Sequence, residues 1–188
     1  MSNRTTSLVA AALVAVALTA ARPAQAQFTL SATGIAANAR IPDVNAFNGM
    51  GCTGKNTSPA LSWKGAPAGT MSFALTIYDP DAPTGSGWWH WVVYNIPASV
   101  TSLPAGAGDP KSTTAPAGMV QGNTDFGAPG YGGPCPPVGD KPHHYIFTVY
   151  ALKVAKLDVP ANATAAYVGF NIHGTQIGKA TLTAIYGR

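Results

Sequence analysis

The sequence predicts a mainly β protein built as one domain, and three observations carry that expectation. Apolar residues alternate with a period of two in separate runs, each short enough to be a strand. The 21 Gly and 16 Pro of the chain gather between those runs, which is the punctuation of a loop-rich β architecture. Only one stretch has the spacing of a helix.

The first element is an export signal over residues 1–26. Arg4 supplies the positive start, residues 8–21 form an apolar run broken by Thr19, and Ala24-Gln25-Ala26 has the small-x-small form of a cleavage site. The apolar run is shorter than the roughly 20 residues that a spanning helix needs, so cleavage is expected and a transmembrane anchor is not. The domain then runs over 27–188, and the expected location is periplasmic or secreted.

Strands are predicted over 71–78, with Phe73, Leu75 and Ile77 on one face, and over 88–96. In the second, Trp89, Trp91 and Val93 are assigned to one face and His90, Val92 and Tyr94 to the other. A third strand starts at Tyr145, with Phe147 and Val149 on its face, and the last covers 181–186. Pro/Gly-rich connections fall at 66–69, 97–116 and 127–142; the second reads as a surface excursion. The helix is predicted over 162–173, stopped by Gly174.

Charge and cysteine content narrow the function classes. Charged residues make up 10% of the chain, with seven Asp and no Glu. Lys and Arg are scattered singly, so a nucleic-acid partner is not expected. Cys52 and Cys135 are the two cysteines, and an even count in an exported chain predicts a disulfide between them.

The scarcity of carboxylates makes Asp79-Pro80-Asp81-Ala82-Pro83 conspicuous, because it places two of them at a strand end. His90 follows within Trp88-Trp89-His90-Trp91, and His143-His144-Tyr145 opens another strand just after Pro136-Pro137. One histidine from each of two strands, an aspartate pair and a rigid proline wall predict a small preformed polar cavity. Gly49-Met50-Gly51-Cys52-Thr53-Gly54-Lys55-Asn56 nearly spells a phosphate loop. However, Asn56 stands where Ser or Thr must reach Mg²⁺, so an ordinary glycine-rich loop is expected. No metal and no cofactor are predicted. Phe126 and Tyr131 are candidates either for a protein interface or for simple loop packing.

These motifs, with Asn56-Thr57-Ser58-Pro59-Ala60-Leu61-Ser62-Trp63 and the C-terminal 180–188 segment, resemble the phosphatidylethanolamine-binding protein family and its bacterial Raf-kinase-inhibitor-like branch. The resemblance implies a β-sandwich with one or two short helices. It also implies a small anion pocket formed by Asp79, Asp81, Trp88, His90, Pro137, His143 and Tyr145. The implied function is non-catalytic binding of a small anionic or phosphorylated ligand. The alternatives are modulation of a partner kinase or protease and, third, phosphoester hydrolysis. His144 stands where the family usually has Arg. Within the pocket, Asp79 or Asp81 is expected to orient and charge a histidine while His90, His143 and Tyr145 donate to the anion.

Overall fold

The computed structural model describes residues 27–188; the predicted export signal lies outside them. In chain order the elements are β1 (Thr29–Ala32), a 3₁₀ turn (Asp43–Asn45), β2 (Asn48–Gly49), β3 (Cys52–Thr53), β4 (Leu61–Lys64), β5 (Ser72–Asp79) and β6 (Trp88–Pro97). They continue with β7 (Ser102–Leu103), β8 (Val120–Gln121), β9 (His143–Leu152), α1 (Ala165–Thr175) and β10 (Gln176–Tyr186). The mainly β prediction holds.

β10-β9-β5-β6-β8 form an antiparallel five-stranded sheet, β1-β4-β7 form a three-stranded sheet, and β2-β3 are a separate hairpin. The main core lies between the two larger sheets. Leu30, Leu61, Trp63 and Leu103 from the smaller sheet meet Phe73, Leu75, Ile77, Trp91, Val93, Phe147 and Val149 from the larger one. On the other face of the larger sheet, α1 covers Ala74, Val92, Tyr94 and Leu152 with Ala165, Val168 and Ile172. The central strand β5 is therefore buried on both faces, and each large apolar side chain removed from water there contributes roughly 1.5–3 kcal/mol.

Three details depart from the sequence expectations, each for a local reason. The helix does not stop at Gly174, which lies inside it. It starts after Thr164, whose hydroxyl accepts the Tyr167 N–H at 3.2 Å, and it ends when Gln176 enters the ladder opposite Leu152. Tertiary pairing thus overrides the glycine signal. The 97–116 connection is not all surface, because Leu103 and Ala107 are core residues and β7 completes the smaller sheet.

The third departure matters for function. Along β5 and β6 the pairing runs Ile77↔Trp91 and then Tyr78↔Trp89, so His90 is the extra residue of a β-bulge. Trp91 and Val93 face the main core as expected, while Val92 and Tyr94 face the helix. Beyond the bulge the alternation is inverted. Trp89 packs on the helix side with Tyr78, ring centroids 4.6 Å apart. His90 turns instead toward Tyr145, 5.0 Å between centroids.

Candidate functional site

Asp79 is the last residue of β5 and is 2% exposed. Its Oδ1 accepts the backbone N–H groups of Asp81 (2.8 Å) and Ala82 (3.1 Å). Pro80, which has no N–H, stands inside this turn. The second oxygen, Oδ2, accepts from Nδ1 of buried His143 at 2.8 Å. The aspartate therefore fixes both the turn that follows its strand and the first histidine of β9. Because β5 pairs with β9, this contact is a consequence of sheet order.

Asp81 goes elsewhere. Its Oδ2 accepts the backbone N–H and the imidazole Nδ1 of His144, both at 2.7 Å. The His144 backbone N–H first, and its imidazole after, hold the Asp81 carboxyl below the usual carboxylate range. The expectation that one aspartate of the pair serves a pocket histidine is thus resolved in favour of Asp79. Asp81 lies in a neighbouring, more open depression of about 340 Å³ with Asp140, Lys141, His144 and His143, which borders both spaces. It is not in the wall of the more enclosed cavity beside Asp79.

That cavity has a volume of about 180 Å³. Of the predicted residues, Asp79, Trp88, His90, Pro137, His143 and Tyr145 line it. Sequence reasoning did not assign Met50, Ala82, Pro83, Thr84, Phe126, Cys135 and Pro136, which also line it. Ala82, Pro83 and Pro136 stand within motifs already singled out, whereas no pattern in the sequence marks Met50. Phe126 packs edge-on against Trp88 and His90, each with centroids 5.4 Å apart. It is a half-buried wall of the cavity. Tyr131 is core, 7% exposed, with its hydroxyl donating to the Asn45 carbonyl at 2.8 Å.

His90 Nδ1 is 2.8 Å from the Gly132 carbonyl. A carbonyl only accepts, so Nδ1 carries the proton. Burial pushes the His90 pKa down to about 4, while the Gly132 carbonyl and the Asp79 charge pull weakly the other way. His90 is neutral near pH 7, and its other ring nitrogen is an acceptor. In that form His90 offers the cavity an acceptor where the sequence reading expects a donor. Tyr145, from the adjacent position on the His143 face of β9, brings a buried hydroxyl that lies near Asp79 but has no partner at hydrogen-bond distance among the described residues. Burial first, and the Asp79 charge next, push its ionisation far above the usual range, so it stays a protonated donor.

The proline wall is fastened to the segments around it by a covalent link and by hydrogen bonds. A Cys52–Cys135 disulfide joins β3 to the segment before Pro136-Pro137, bridging a sequence separation of 83. Asn56, at φ +51°, accepts the Gly133 N–H at 2.7 Å and donates to the Tyr131 carbonyl at 3.0 Å. The residue that spoils the phosphate-loop pattern is thus a brace for the loop opposite. Gly133 itself has no room for a side chain, since a Cβ would sit 2.1 Å from the Asn45 carbonyl oxygen.

The sequence profile described as Phosphatidylethanolamine-binding protein matches residues 31–187. The chain belongs to this family. It is 52% identical over 161 residues to YbcL of Escherichia coli (strain K12), covering 86% of this chain and 88% of YbcL. The crystal structure of YbcL, described as a new member of the mammalian PEBP family, superposes with a TM-score of 0.84 over 87% of this chain and 99% of that one. YbhB of the same organism is 51% identical over 147 residues, covering 78% of this chain and 92% of YbhB. A carboxypeptidase Y inhibitor, solved in complex with its cognate proteinase, shares the fold at 19% identity with a TM-score of 0.50, over 85% of this chain and 82% of that one. Among the described residues no helix is long and apolar enough to cross a membrane, and no group of three metal-ligating side chains converges.

Proposed function

We infer that this protein is an exported, non-catalytic binder of a small anionic group, with a phosphoryl group as the best fit to the cavity. The observation that carries the reading is the Tyr145 hydroxyl, a buried donor in the cavity wall that lies near Asp79 without a partner at hydrogen-bond distance. Leaving such a donor unmade costs roughly 1–3 kcal/mol, and a ligand oxygen recovers it. His143 supplies the complementary charge. With Nδ1 committed to Asp79 and Nε2 lying 3.5 Å from the Asp140 carboxylate, the imidazolium form has one further N–H, which a bound anion must share with or take from Asp140. The acceptor nitrogen of His90 suits a protonated ligand oxygen, such as the P–OH of a phosphoryl monoanion. Trp88, Phe126 and the prolines supply apolar walls. The disulfide fits an oxidising compartment and thereby supports export.

Hydrolysis is disfavoured by the same geometry. Both oxygens of Asp79 are engaged, by two backbone N–H groups and by His143, which leaves it poorly placed to attack a phosphoester. Modulation of a partner protein is the second reading. It rests on Met50 (67% exposed) and Val138 (77% exposed) beside the proline wall. Phosphate-dependent thermal stabilisation that disappears in His143→Ala supports the binding reading. A partner activity kept in that variant, with no phosphate response in the native protein, would favour modulation.

A further inference from the structure

We propose that Arg188 is a positioning residue for the cavity, holding its two walls at a fixed separation; this rests on the anion-binding reading of the site. Its Nε donates to the Pro136 carbonyl at 2.6 Å, its Nη1 to the Gly51 carbonyl at 2.9 Å and its Nη2 to the Met50 carbonyl at 3.4 Å. Met50 and Pro136 are both cavity-lining residues, so one guanidinium spans the wall formed by the β2–β3 hairpin and the wall formed by the proline segment. Among the described residues no carboxylate pairs with Arg188. Its donors go to backbone, and the planar fork of the guanidinium suits that task in a way an ammonium does not.

The hairpin tip explains why a brace is needed. Gly49 pairs with Cys52, so Met50 and Gly51 form a two-residue loop with φ +52° and +80°. Positive φ at both positions is the turn that fits hairpin twist, and it favours Asn or Gly at the first position. Met50 is strained there, and its side chain lines the cavity. Bonds from Arg188 to the carbonyls of both loop residues hold the strained turn in place. Gly51 leaves space for this, because a Cβ there would lie 3.2 Å from Nη1.

The test compares Arg188→Ala and Arg188→Lys with the native oxidised protein, by calorimetry with inorganic phosphate at pH 6 and by amide hydrogen exchange. Expected are a phosphate affinity about tenfold weaker in Arg188→Ala, little recovery in Arg188→Lys, and faster exchange over residues 48–53 with β5 and β9 unchanged. Full recovery by Lys would show that charge alone matters and would overturn the proposal, as would unchanged exchange in the hairpin. If the native protein binds no phosphate, the anion reading fails, while the exchange data still decide whether Arg188 fixes the wall.

Discussion

Acid should destabilise this protein through His90, and the size of the effect follows from its burial. In the unfolded chain His90 titrates near 6.5, whereas in the fold burial lowers that value to about 4. A depressed histidine pKa means that the unfolded state takes up the proton first. Stability is therefore complete above pH 6.5 and is lost as pH falls toward 4. At about 1.4 kcal/mol per unit, the gap predicts a loss of about 2 kcal/mol between pH 7 and 5 and about 3 kcal/mol by pH 4. Urea unfolding across that range measures it, with His90→Gln as the reference that cannot titrate. The difference between the two proteins should change by about 3 kcal/mol. A difference that stays flat with pH would refute the claim that His90 is held neutral by burial.

Other perturbations separate stability from binding. Tyr145→Phe removes an unpartnered buried hydroxyl, so the free protein should gain about 1 kcal/mol in thermal or urea unfolding while phosphate affinity drops about tenfold. Replacing Cys52 and Cys135 with Ser opens a loop with a sequence separation of 83, and urea unfolding should show a loss of about 4.5 kcal/mol on the chain-entropy account. Gly133→Ala forces a methyl to within 2.1 Å of a backbone oxygen; a cost of about 3 kcal/mol or more is expected, and a near-neutral result would contradict the packing described.

Period-two patterning made the central strands legible because β5, β6 and β9 expose their alternation directly to two cores. It could not place His90, because a bulge adds one residue to one strand and leaves no mark in the pattern. Six of the seven predicted pocket residues meet around one cavity, since strand order brings the ends of β5, β6 and β9 together. Asp81 stands outside that cavity's wall because Asp79 takes the N–H groups of the turn and His143, which directs Asp81 toward His144. Met50 and Arg188 were invisible as site residues. Their roles depend on a strained hairpin tip and on contacts between segments more than 50 residues apart in sequence.

The central claim is that the cavity between Tyr145 and His143 takes a small anion. Isothermal calorimetry with inorganic phosphate at pH 6 tests it most directly, run on the native protein, His143→Ala and Tyr145→Phe. One saturable site is expected in the native protein, weakened about tenfold in Tyr145→Phe and abolished in His143→Ala. No measurable heat in the native protein, or binding indifferent to both substitutions, would contradict it.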